Sequence, residues 1–152
     1  VELNTTYIPY GSKGRSGKLK QETQDANALT NHLQGSSVQR VVTKASSNYR
    51  NDHWDLCDAS QKGVVKLEEI DEQQLPEVMR TMTLEEREGY IKSNLTKRAK
   101  LRKKINDLNR DRQRYVAEKQ KESANQSKDS TLDNAIIQAI EEQAGRLGFE
   151  FE

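Results

Sequence analysis

The stretch LEEREGYIKSNLTKRAKLRKKINDLNRDRQRYVAEKQKESA, residues Leu84–Ala124, is the longest run of helical pattern in this sequence. Its apolar residues fall on two heptad positions, with Leu84, Ile91 and Ile105 on one, Leu101, Leu108 and Tyr115 on the other, and Leu95 and Val116 beside them. Thr83 and Glu86 form a capping-box pattern at its start. The stretch therefore predicts one helix of about 40 residues.

Polar residues interrupt this heptad seam, namely Arg87, Asn94, Arg98 and Arg112. An autonomous two-stranded coiled coil requires a continuous apolar seam. We therefore expect the long helix to pack against other helices of the same chain. The expected neighbours are a helix over Val38–Tyr49, a helix around Trp54 and a C-terminal helix.

Glycine, proline and polar segments divide the rest of the chain. We expect an extended arm and glycine-rich turn over residues 1–17, a helical region over 18–124 that includes the long helix 84–124, a polar linker over 125–130, and a C-terminal helix with its tail over 131–152. The predicted fold class is all-α, as an elongated helical bundle or helical hairpin with one long helix and a short extended N-terminal arm.

Composition sets limits on the kind of protein. Apolar and charged residues each make up 32% of the chain and the mean hydropathy is −1.03, so one compact, well-filled core is not expected. The 25 basic and 24 acidic residues nearly cancel, which disfavours a general nucleic-acid binder. No apolar run reaches membrane-spanning length, and a single cysteine excludes an internal disulfide.

The segment NDHWDLCDA, Asn51–Ala59, contains the only tryptophan, the only cysteine and one of the two histidines. Asp52 is the expected N-cap of a short helix that Gly63 ends. We interpret the segment as a packing anchor in which the free cysteine acts as a small hydrophobic residue. The expected anchor residues are Trp54, Leu56, Cys57, Val38, Val41, Val42, Ala45 and Tyr49, and Trp54→Ala is expected to lower thermal stability substantially.

A zinc- or thiol-dependent site around His53, Cys57 and Asp58 is one alternative. His53 and Cys57 are four residues apart, so on a helix they would share a face, as half of a zinc site requires. A nearby base could also generate a Cys57 thiolate. No Cys-x-x-Cys motif is present and further ligands are missing, so we predict no metal, no cofactor and no catalytic residue.

A basic stretch in the long helix offers a second alternative. The sequence KRAKLRKK contains six basic residues, which resembles a DNA-binding helix or a site for an acidic partner: Lys97, Arg98, Lys100, Arg102, Lys103 and Lys104. Acidic residues flank it on both sides, so intrahelical ion pairs on a solvated face are the more economical explanation. Nucleic acid is therefore the less favoured partner.

Four stretches in order resemble one family: LNTTYIPYGSKG, QDANA, VVTKASSNYRNDHWDLCDA and GYIKSNLTKRAKLRKKINDLNRDRQRYVAEKQK. They look like the region that follows the von Willebrand factor A (VWA) domain in a group of bacterial proteins, many of which carry secretory signals. A VWA domain binds a divalent ion through Asp-x-Ser-x-Ser. Asp58 and Ser60 match its first half, but Lys62 replaces the second serine, so no metal residue is carried over.

The resemblance implies a helical extension that accompanies a VWA-type domain and an extracytoplasmic location. We therefore expect a non-enzymatic structural or protein-interaction module that positions a neighbouring VWA-type domain, another subunit or a second copy of itself. No small-molecule substrate and no membrane span are expected.

Overall fold

The computed structural model describes residues 2–30 and 35–126, together with 136–137 and 139–143. Its helices are α1 (Gly14–Thr30), α2 (Ser36–Ala45), α3 (Leu56–Lys62), α4 (Glu77–Arg80) and α5 (Leu84–Gln126), and short 3-10 turns cover Glu2–Thr6, Leu67–Glu69 and Glu72–Gln74. Among the described residues, the only β pairing is an isolated antiparallel bridge between Pro9 and Asp55. The predicted all-α class and the long helix are confirmed.

The chain divides into two compact units, Val1–Asn109 and Arg110–Glu152. In the second unit, residues 110–126 belong to α5, and residues 136–137 and 139–143 are also helical. Residues 125–126, predicted to begin the polar linker, are helical as well. The remainder of the predicted linker and most of the predicted C-terminal helix and tail lie outside the described residues.

The start of α5 forms the predicted capping box. The Thr83 backbone N–H donates to Glu86 Oε2 at 2.7 Å, and the Glu86 N–H donates to Thr83 Oγ1 at 3.3 Å. Each side chain therefore satisfies a backbone N–H that has no partner inside the helix. No described helix is both long and apolar enough to cross a lipid bilayer.

The N-terminal segment differs from the predicted extended arm. Glu2–Thr6 forms a 3-10 turn, in which the hydroxyl of Thr6 donates to the Leu3 carbonyl at 2.8 Å. Leu3, Tyr7 and Ile8 are each at most 5% exposed. Because these apolar side chains are buried within the first unit, the segment belongs to the core and does not extend away from it.

The glycine-rich turn also differs, because α1 begins at Gly14 and not after Gly17. A Cβ atom on Gly17 would lie 2.3 Å from Cγ of Trp54, and one on Gly14 would lie 2.9 Å from the carbonyl carbon of Pro9. Both glycines therefore allow the first turns of α1 to approach the core closely. Their role here is close packing, where the sequence suggested a flexible turn.

Two apolar clusters fill the first unit. The larger contains Ile8, Leu56, Cys57, Leu67, Leu75, Met79 and Ile91, and the smaller contains Leu3, Tyr7 and Trp54. Both clusters take residues from the N-terminal segment and from the region of α3. The polar groups that join these segments to α5 lie beside them.

Candidate functional site: a buried arginine clamp

Arg98 of α5 is only 1% exposed, although it belongs to the basic stretch that the sequence offers as a possible interaction surface. Its Nη1 donates to Asp55 Oδ2 at 2.8 Å and to Asp58 Oδ1 at 2.7 Å. Its Nε donates to Thr6 Oγ1 at 3.1 Å, and Nη2 donates to the Thr6 carbonyl at 2.6 Å. We call Thr6, Asp55, Asp58 and Arg98 the arginine clamp, since they join the N-terminal segment, the start of α3 and α5.

Local backbone geometry positions the two carboxylates. Asp55, and not the predicted Asp52, is the N-cap of α3, and its side chain accepts from the Asp58 N–H at 3.1 Å. Asp55 Oδ1 also accepts from the Ile8 N–H at 2.7 Å, and Asp58 Oδ2 accepts from the Asn51 N–H at 2.7 Å. Every carboxylate oxygen of the clamp therefore has a donor, which a buried charge requires.

The ionisation of the clamp reflects its dry surroundings. Burial raises the pKa of Asp55, although the hydrogen bond and charge of Arg98 act in the opposite direction. For Arg98, burial disfavours the charged form, but the hydrogen bond and charge of Asp55 outweigh it and leave its pKa raised. The clamp is a closed charged cluster that fastens three chain segments together.

Aromatic rings complete the surroundings of the guanidinium. Cζ of Arg98 lies 4.2 Å from the centroid of the Tyr7 ring, and the Tyr7 and Trp54 ring centroids are 5.6 Å apart. Burial raises the pKa of Tyr7 to about 12. The cation–π contact adds to the ion pairs, because both the arginine and the ring are withdrawn from water.

The other anchor residues differ in burial. Trp54, Leu56, Cys57 and Ala45 are at most 4% exposed, whereas Val38 is 37% exposed and Val41, Val42 and Tyr49 are partly buried. The apolar stripe of α2 is therefore only partly covered. The most deeply buried side chain of α2 is charged, since Lys44 is only 2% exposed.

Lys44 belongs to a second polar cluster. Asp25 of α1 accepts from Lys44 Nζ, from Arg40 Nε at 2.9 Å and from Asn4 Nδ2 at 2.8 Å. Burial raises the pKa of Asp25, but these three hydrogen bonds outweigh that effect and leave its pKa lowered. We call Asn4, Asp25, Arg40 and Lys44 the Asp25 cluster, which joins α1 and α2 to the N-terminal segment.

His53 and Cys57, the pair considered for the alternative zinc half-site, are not arranged as that half-site requires. His53 is exposed and precedes α3, whereas Cys57 lies in the first turn of α3 and is fully buried, so the two do not share a helix face. Among the described residues, no group of three or more His, Cys, Asp or Glu side chains is placed to hold a metal ion. Asp58, the third residue of that alternative, belongs to the clamp.

Cys57 is poorly suited to nucleophilic chemistry. Burial raises the pKa of its thiol to about 12, and the charge of Asp55 acts in the same direction. Its Sγ lies 3.6 Å from the Thr6 carbonyl, to which it donates. A reactive cysteine requires a lowered pKa and access to solvent, and this one has neither.

The basic stretch splits into two groups. Arg98 is buried, and Arg102 is partly buried and donates to the Tyr49 carbonyl at 3.1 Å, so these two of the six possible interaction residues make contacts within the chain. Lys97, Lys100, Lys103 and Lys104 remain exposed. Arg98 lies on the heptad seam of α5, at the position shared by Leu84, Ile91 and Ile105, where the sequence pattern showed only an interruption.

The clamp was missed at the sequence level for a similar reason. In the sequence, Asp58 belongs to the zinc alternative and Arg98 to the basic stretch, and neither pattern indicates that the two residues pair. The useful signal was an arginine at an apolar heptad position, combined with two aspartates three residues apart. Comparisons with protein-family models, curated proteins and solved structures found no match to this chain.

Proposed function

We propose that this chain is a non-enzymatic protein-interaction module, which braces a VWA-type domain or another subunit in an extracytoplasmic assembly. The observation that carries the proposal is the exposure of α5 in the second unit. Every residue from 110 to 123 is exposed, including Tyr115 at 61% and Val116 at 38%. An uncovered helix that bears an aromatic and a branched aliphatic residue is suited to docking a protein.

Local interactions support this helix where tertiary packing does not. Arg114 pairs with Asp111 at 2.5 Å, and Lys119 pairs with Glu122 at 2.6 Å, both at i,i+3 spacing. Such pairs contribute about 0.2–0.5 kcal/mol each to a helix. The helix therefore has local support before a partner arrives, which reduces the ordering cost of binding.

The role of the first unit in this proposal is rigidity. Arg98 joins α5 to two other segments through buried hydrogen bonds, and Arg87 donates to the Met79 carbonyl at 3.1 Å. The first part of α5 is thus fixed by side chains that are themselves buried. A bracing element requires such a fixed base.

Analytical ultracentrifugation of the chain, alone and with an added VWA-type domain from the bacterial group it resembles, tests the proposal. We expect a concentration-dependent dimer or a complex, and we expect Tyr115→Asp with Val116→Asp to abolish it. Ala117→Asp is the matched control, because Ala117 lies about 200° around the helix from Tyr115. A chain that stays monomeric and binds no VWA-type domain would overturn the proposal.

A further inference from the structure

The outward face of α5 in the first unit carries five exposed lysines: Lys92, Lys97, Lys100, Lys103 and Lys104. All five lie within positions 92–104 of the helix, and none of these 13 residues is acidic. At 1.5 Å per residue, the lysines span about 18 Å along the helix axis. We call this set the lysine face.

Most of these charges are not neutralised within the protein. Lys103 pairs with Asp107 at 3.4 Å, and Lys97 donates to the Thr5 hydroxyl at 3.3 Å. Lys92, Lys100 and Lys104 have no carboxylate partner among the described residues. The acidic flanks therefore do not neutralise the basic stretch in the way the sequence suggested.

The lysine face also has a shallow depression in its surface. The side chains of Lys92, Lys97 and Lys100 border it, and Ser93 and Thr96 line it. Gly89 also lines it, and a Cβ atom at this position would meet nothing within 4 Å. A compact anion in this depression would lie beside the three lysine side chains and Ser93, while the Thr96 hydroxyl donates to the Lys92 carbonyl at 2.9 Å.

From these observations we infer that the lysine face binds the phosphodiester backbone of a nucleic acid, without reading its sequence. Lysine, serine and threonine are among the side chains that contact phosphates, whereas protein interfaces are depleted in lysine and serine and rich in aromatic residues. Double-stranded DNA carries one negative charge per about 1.7 Å of its axis. A lysine face about 18 Å long can therefore lie against several phosphates. Exposed arginine, which would read base edges, is absent from positions 92–104 because Arg98 is buried and Arg102 partly buried.

Fluorescence anisotropy with two 20-base-pair DNA duplexes of unrelated sequence tests this inference. We expect both duplexes to bind with equal affinity, and the logarithm of the affinity to fall with the logarithm of salt concentration with a slope of about −3 to −4.5. Lys100→Gln with Lys104→Gln is expected to weaken binding by about tenfold or more and to reduce the slope by about 2.

The matched control is Lys119→Gln with Lys121→Gln, which removes the same charge from exposed positions elsewhere on α5. The control is expected to keep most of the affinity, and the thermal melts of both variants are expected to match that of the parent. No binding at 50 mM salt, an equal loss in both variants, or tighter binding to polyglutamate or to phosphatidylserine vesicles would overturn the inference.

Discussion

The arginine clamp and the Asp25 cluster are both built on buried aspartate, yet they differ in how completely water is excluded. In the clamp, the side chains of Asp55, Asp58 and Arg98 are 0%, 3% and 2% exposed. In the Asp25 cluster, the side chains of Asp25 and Arg40 are 10% and 19% exposed, and only Lys44, at 2%, is as dry as the clamp. The drier cluster joins the long helix to the core, and the wetter one joins two shorter helices.

The difference has an electrostatic consequence. At Asp55 burial outweighs the opposing effect of Arg98 and the pKa is raised, whereas at Asp25 burial is outweighed by the combined hydrogen bonds of Lys44, Asn4 and Arg40 and the pKa is lowered. A buried ion pair loses most when one partner is removed, because the remaining charge is left dry. The clamp should therefore be the more sensitive of the two clusters to mutation, and the Asp25 cluster the more sensitive to acid.

Arg98→Ala should have the largest effect. It leaves two carboxylates buried without their cation, and we expect the free energy of unfolding to fall by about 3–5 kcal/mol. Urea denaturation followed by far-UV circular dichroism measures this loss. Lys100→Ala, two residues along the same helix but exposed, is the control and should change stability by less than about 0.5 kcal/mol. A similar loss in both variants would remove the distinction between buried and exposed basic residues of α5.

Gly17→Ala should have the next largest effect, since the new methyl group would overlap the Trp54 ring beside the clamp. Overpacking of this kind costs about 1–3 kcal/mol. In a Trp54→Ala background, which is itself destabilised by loss of the largest apolar side chain, the same change should become stabilising by up to about 1 kcal/mol, because alanine favours a helix over glycine.

A double-mutant cycle of these variants, measured by thermal denaturation, isolates the contact between α1 and the tryptophan. Gly89→Ala is a useful control, because its Cβ would meet nothing within 4 Å. If Gly17→Ala destabilises both backgrounds equally, close packing against Trp54 is not the reason for glycine at this position.

These cases show what the sequence could and could not predict. The heptad pattern and the capping box at Thr83 depend on neighbours within one helix, and both are present in the structure. The identity of the N-cap of α3 depends on the Ile8 N–H, 47 positions away, which fixes Asp55 in place of Asp52. Burial of Arg98 likewise depends on partners 40 and 92 positions away in the chain.

Asp25→Asn should lower the free energy of unfolding by a smaller amount, and that amount should depend on pH. The lowered pKa of Asp25 means that its contribution is fully present above its ordinary value of 3.8 and is lost as the pH falls through the folded-state pKa. At pH 7 we expect the free energy of unfolding to fall by about 1.5–3 kcal/mol, as for hydrogen bonds to charged groups. The contribution of Asp55 to stability changes with pH in the opposite direction. Because its pKa is raised in the folded state, proton uptake as the pH falls favours folding.

Denaturation of both proteins at several pH values between 7 and 2.5 tests this prediction. The parent and the Asp25→Asn variant should converge in stability at the acid end. Glu86→Gln is a comparison at an exposed site, since the backbone and side-chain hydrogen bonds of Thr83 also lower the pKa of Glu86. A constant difference between parent and Asp25→Asn across the pH range would show that Asp25 acts through packing and not through its charge.

The reactivity of the Cys57 thiol compares the local opening of the two clusters without requiring a large change in stability. The thiol is buried against Thr6 of the clamp, and burial raises its pKa to about 12, so the native protein should react with a thiol reagent such as DTNB only when this region opens. At pH 8 we expect the reaction of the parent to be slower than that of the guanidinium-unfolded chain by a factor of at least about 100, since opening costs several kcal/mol.

Asp25→Asn should accelerate the native reaction less than Arg98→Ala, because Thr6 is held by Arg98. Equal acceleration by the two variants would mean that the two clusters open together as one cooperative unit. The difference in burial between the clusters would then not correspond to a difference in their local stability.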